Sequence, residues 1–168
     1  MKKFLWVVIF INIFISCSNE RLEYPDVTVK DIIQKVDWNG NFEKTEKFFE
    51  NEFKLKYVTS KFNETGGATA YEFSGGKLFG KKTENWIAGF LHDKLNAIII
   101  KFESPRDPER FYGEICEKIN GDIGKNTMEM EKSTFWNFEL TQNNKLFSVV
   151  CNITPNTNDI LVVIKKIR

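Results

Sequence analysis

The sequence predicts an α+β fold: an antiparallel sheet with helices packed mainly on one face, arranged as two related halves, each running helix first and strands after. Three features carry this expectation. Apolar residues recur at three- and four-residue spacing within 29–36, 42–53 and 111–119, the period of a helix that buries one face. Elsewhere the period falls to two, in short runs bounded by Gly, Asn and Pro. One pattern also occurs twice. Trp86, Lys94-Leu95, the apolar run 98–100 and Pro105 are echoed by Trp136, Lys145-Leu146, the run 149–151 and Pro155. Amphipathic hairpins also resemble one another without duplication, so the echo leaves both readings open.

The first helix is expected to start at Asp26 or Thr28, either of which can cap it, and to run through Val36. Val29, Ile32, Ile33 and Val36 make its apolar face, and Asn39-Gly40 ends it, since both residues accept the left-handed conformation of a helix stop. Asn41 caps a second helix over 42–53, with Phe42, Phe49 and Phe53 on one face, Phe48 beside them, and Glu43, Glu46, Glu50 and Glu52 on the wet side. From Leu55 the alternation of a strand begins, followed by a turn at 63–67 and a second strand at 68–74 that stops or bends at Gly75-Gly76. Residues 78–82 read as an extension or a bulge.

The clearest hairpin pairs 86–91 with 95–102 through His92-Asp93-Lys94, with Ile98, Ile100 and Phe102 turned to the core. Asp107-Pro108-Glu109 opens the third helix with a capping oxygen, a proline at the first helical position and an acid in the first turn. Phe111, Ile115 and Ile119 form its buried stripe, and Gly121 is expected to stop it. Strands follow at 127–132, 135–140, 145–153 and 160–167, turned by Asn143-Asn144 and Pro155-Asn156.

Ahead of the first helix lies a different kind of segment. Met1-Lys2-Lys3 is a cationic head, and residues 4–15 are apolar apart from Asn12. That run is short of the roughly 20 residues a membrane span needs, and reads as a secretory signal. It closes on Phe14-Ile15-Ser16-Cys17. This resembles the lipobox of bacterial lipoproteins, with Phe14 where Leu is more usual. The resemblance implies a signal peptide over 1–16, cleavage before Cys17, a diacylglyceryl group on its thiol and an acyl chain such as palmitate on the new amine. Several chains on one residue make a durable anchor. Residues 17–27, with Pro25, then form a lipidated tether, and 28–168 one domain. An ordinary cleaved signal and an uncut anchor are the alternatives. Ser18 in place of Asp favours an outer-membrane address.

The order of elements also resembles small uncharacterised lipoproteins common in Bacteroidota, on Phe79-Gly80, Lys94-Leu95, the helix 111–123 and Trp136. Tandem helix-plus-sheet halves are similar in architecture to β-lactamase-inhibitor-like modules, whose role is protein binding.

Charge narrows the partners. The chain has 24 basic and 23 acidic residues; loss of Lys2 and Lys3 leaves 22 against 23. No basic stripe remains, which argues against nucleic acid. Cys116, on a helix, and Cys151, on a strand that helix could cover, form a candidate disulfide in an oxidising compartment; two separate buried thiols are the alternative.

Catalytic patterns are sparse. Gly75-Gly76-Lys77-Leu78-Phe79-Gly80-Lys81-Lys82-Thr83 nearly spells a phosphate loop. Lys82 stands where magnesium needs a hydroxyl, and a strand follows instead of a helix. His92 is the single histidine and reads as a turn residue, so no metal site is expected. Glu129 and Glu131 could share a strand face, as a glycosidase-type acid pair requires. Trp38, Trp86 and Trp136 read mainly as core; Trp86 is the candidate exposed binding aromatic, because Ala88 and His92 beside it make a poor core. The expectation is a lipid-anchored envelope protein acting as a non-enzymatic binding or scaffold module, without a cofactor and with another envelope protein as partner. A carboxylate-dependent envelope hydrolase is the alternative, and a purely structural spacer a third.

Overall fold

The computed structural model describes residues 23–63, 67–140 and 144–167. Helix α1 (Val29–Lys35) begins at Thr28, whose side chain accepts from the Asp31 N–H while Asp31 accepts from the Thr28 N–H, a reciprocal capping box. Helix α2 (Phe42–Phe48) is capped by Asn41 and continues as one π-helical turn, Phe49–Phe53, closed by Lys54 at φ +57°. Helix α3 (Pro108–Ile123) starts at Asp107 and passes through Gly121 to end at Gly124, φ +99°. The expected stop fails because Gly121 is accommodated within the helix, whereas Gly124 takes the positive φ that ends it.

The strands are β1 (Asp26–Val27), β2 (Lys56–Asn63), β3 (Ala68–Ser74), β4 (Lys77–Leu78), β5 (Lys81–Leu91), β6 (Lys94–Phe102), β7 (Met128–Met130), β8 (Ser133–Leu140), β9 (Lys145–Ile153) and β10 (Ile160–Lys166). They form one ten-stranded sheet with helices against it, an α+β fold. The sheet is mixed, not purely antiparallel, because β1 runs parallel to β4. The chain joins the sheet at Asp26, two residues before the expected domain start at 28; the Asp26 carboxylate accepts from the Gly80 N–H, while Phe79 N–H donates to the Val27 carbonyl at 2.9 Å. Residues 78–82 are neither extension nor bulge. They are a tight turn at Phe79-Gly80, both at positive φ, that folds β4 onto the start of β5.

The long path runs β2-β3-β5-β6-β10-β9-β8-β7. Two four-strand meanders, β2-β3-β5-β6 and β7-β8-β9-β10, meet at an antiparallel seam between β6 and β10. A half-turn about an axis through that seam exchanges the two meanders in both order and direction. It equates β5 with β9 and β3 with β8. Trp86 lies on β5 and Trp136 on β8, so the echoed hairpins are not equivalent in space. They run the same way, present both Trp rings to the same face, and lie on opposite sides of β10. No rotation superposes such a pair.

One face of the sheet holds the core. Trp86, Ile100, Val162, Cys151 and Thr134 form one row across five strands, and Ala88, Ile98, Ile164, Val149 and Trp136 the next; all ten are buried. Helix residues meet this face at several points. Phe42 stacks on Tyr71 at 3.9 Å, Phe49 packs edge-on to Phe73 at 5.0 Å, and Phe111 to Phe102 at 5.2 Å. Trp136 Nε1 donates to Asn120 Oδ1 of α3 at 2.9 Å. Each large aromatic buried here adds about 1.5–3 kcal/mol of hydrophobic stabilisation over an exposed one.

Candidate interaction surface

Strand alternation sends every second residue to the opposite face, and there the chemistry is unexpected. The outward positions of a sheet covered on one side should be polar. Here Ile87, Ile99, Val163, Val150, Phe135 and Met128 stand opposite one another in register, a transverse row across β5, β6, β10, β9, β8 and β7. Five of the six are half-buried by their neighbours, and Met128 is 50% exposed. The adjoining row contributes Leu161 and ends at Met130, 58% exposed. Ala97 and Gly89 sit opposite each other on the other side. The result is an apolar band ending in two flexible thioethers at the β7 edge, a side chain that adapts to varied partner shapes.

The charge of Lys101 beside the band is neutralised locally. Lys101, in the Leu161 row, pairs with Glu84 at 3.1 Å and Asp159 at 3.2 Å. These partners, Glu84 first, hold its ammonium protonated above the usual lysine range. Asn85 Nδ2 donates to Glu72 Oε1 at 2.8 Å at the β3 side.

A second cluster lies under α3. Tyr112 Oη and Thr134 Oγ1 are 2.7 Å apart. One helical turn after Tyr112 comes Cys116, and directly across the β8–β9 ladder from Thr134 stands Cys151. Both are free thiols, Cys116 half-buried and Cys151 buried. The neighbouring Cys151 thiol, together with the Thr134 and Tyr112 hydroxyls, lowers the Cys116 thiol below the ordinary cysteine value, against its partial burial and the repulsion of Glu129. The Cys116 thiol and complete burial push Cys151 up. Desolvation holds the Tyr112 phenol protonated.

The other residues singled out by sequence fall as follows. Cys17 and the leader lie outside the described residues, as do the turn residue Asn143 and most of the turn at 63–67. Trp86 is not exposed: it is fully buried against Phe49 and Phe53, and its Nε1 donates to Thr83 Oγ1 at 2.8 Å. Small residues do not spoil a core there: Ala88 is itself buried, and Gly76 makes room for the indole, since a Cβ on it would lie 3.0 Å from Trp86 Nε1 and 2.6 Å from Leu55 Cδ2. Trp38 and Trp136 are buried too. His92 and Asp93, at φ +50° and +60°, are the two-residue turn between β5 and β6.

Glu129 and Glu131 do not share a strand face. Glu129 lies in β7, Glu131 in the turn after it, and both are exposed. The glycine-rich segment is the β4 turn and opens no helix. Among the described residues no group of three or more His, Cys, Asp or Glu is placed to hold a metal.

The apolar band is invisible as long as alternation is equated with polar outward positions, yet the sequence carries its signal. Ile98-Ile99-Ile100, Val149-Val150 and Leu161-Val162-Val163-Ile164 are unbroken apolar runs, and such runs mark strands with apolar residues on both faces. The chain matches no protein-family model, no curated protein and no solved structure.

Proposed function

We propose that the chain is a lipid-anchored binding module of the bacterial cell envelope, held at the outer membrane through Cys17, and that the outer sheet face engages another envelope protein. The apolar row from Ile87 to Met128 carries this reading. Helices packed mainly on the opposite face leave that row to a partner, and the two meanders support a domain built of two related α-then-β halves. The lipobox-like Phe14-Ile15-Ser16-Cys17 supplies the address.

Lysine at both Ile99 and Val163 puts two charges in the middle of the band without touching the core rows. The double variant is expected to keep its circular dichroism and melting behaviour and to lose the stoichiometric partner recovered with the unaltered protein from its own envelope. Equal recovery from both removes the outer face from the account. The anchor is tested separately: Cys17→Ser is expected to leave the envelope fraction and to show the mass of an unacylated chain. Sedimentation with membranes at unchanged mass rules the anchor out.

A further inference from the structure

We infer that Cys116 and Cys151 are a dithiol that exchanges with external disulfides in a fixed order, Cys116 reacting first and Cys151 resolving. The geometry comes from three elements. Helix α3 carries Tyr112 and, one turn on, Cys116. Strand β8 carries Thr134, tied to Tyr112 at 2.7 Å. Strand β9 carries Cys151 opposite Thr134. Tyr112 and Thr134 thereby clamp the helix over the strands and place Cys116, one turn beyond Tyr112, on the side of the helix that faces Cys151. Cys116 is only partly buried, whereas Cys151 has no exposure. An external disulfide therefore meets Cys116 first.

In the first step the Cys116 thiolate attacks one sulfur of a low-molecular-weight disulfide, forming a mixed disulfide and expelling one thiolate. In the second, Cys151 gives up its proton, which leaves with a second thiol, and attacks the Cys116 sulfur. The products are the Cys116–Cys151 bond and two molecules of reduced thiol, so the external disulfide takes both electrons. The bond joins α3 to β9 and closes a loop holding β7 and β8, the strands that bear Met128 and Phe135. Oxidation thus stiffens the methionine end of the outer face. The exchange goes beyond the binding reading and does not depend on it, since it runs in purified protein.

The test uses the full chain with Cys17→Ser throughout, leaving two thiols, treated with oxidised glutathione under native conditions and weighed by mass spectrometry. The Cys17→Ser chain is expected to lose two hydrogens and retain no glutathione. Adding Cys151→Ser is expected to trap one glutathione on Cys116, and adding Cys116→Ser to leave the folded chain unmodified. Iodoacetamide is expected to label Cys116 at least about tenfold faster than Cys151. A stable glutathione adduct on the two-thiol chain, or equal labelling of the two cysteines in it, overturns the proposal. If either serine variant melts at a lower temperature, assay below its transition and the two-thiol labelling ratio still decide.

Discussion

At the scale of single residues, space around the backbone decides what a side chain can be. Gly76 sits at φ +90° with Leu55 and Trp86 where a Cβ would go, so Gly76→Ala combines a disfavoured backbone conformation with a clash. It is expected to cost about 3 kcal/mol, read as a lowered urea midpoint. Gly113 is the reverse case. It lies inside α3, and an alanine methyl there would meet nothing within 4 Å. Gly113→Ala should raise stability by about 0.5–1 kcal/mol in the same titration. Both positions are plain glycines in the sequence. Neighbours remote along the chain distinguish them. The same remoteness makes Trp86 look exposed in the sequence: the rings that cover it come from Phe49 and Phe53.

Elements were the most legible level, because caps and periods are local. Thr28, Asn41 and Asp107 all cap as their chemistry requires. Thr28→Ala is expected to remove about 1 kcal/mol, measured by thermal melting. Asp31 adds a pH dependence. Its hydrogen bond from Lys35, aided by those from Thr28, keeps the carboxylate below the ordinary value of 3.8. A carboxylate lowered on folding contributes stability that is present above 3.8 and lost as pH falls through the folded value. The melting temperatures of the unaltered chain and Asp31→Asn should therefore separate near neutrality by more than at pH values well below 3.8. What sequence could not supply was the end of α3. Gly121 and Gly124 are chemically identical stop signals, and the contacts of Ile119 and Asn120 with the sheet carry the helix past the first.

For the whole molecule, the strand order was not legible, and the use of both sheet faces was signalled only by the unbroken apolar runs of β6, β9 and β10. Pairing of β6 with β10 joins residues about sixty positions apart, and nothing local announces it. Val162 and Ile164 are the buried centre of that seam. Val162→Ala leaves a cavity between Ile100 and Cys151 and is expected to cost about 2–4 kcal/mol by chemical denaturation. A matching change on the uncovered side, Val163→Thr, should cost under about 1 kcal/mol. Adjacent residues on one strand would then differ in worth because one is buried in the core and its neighbour lies on the outer face.

The placement of β10 also governs when the protein can exist. It is the central plank between β6 and β9, yet it is synthesised after both. A nascent chain still lacking residues 160–166 has two open, apolar strand edges and no means of joining its meanders. Such a polypeptide cannot close its sheet until the last plank has arrived.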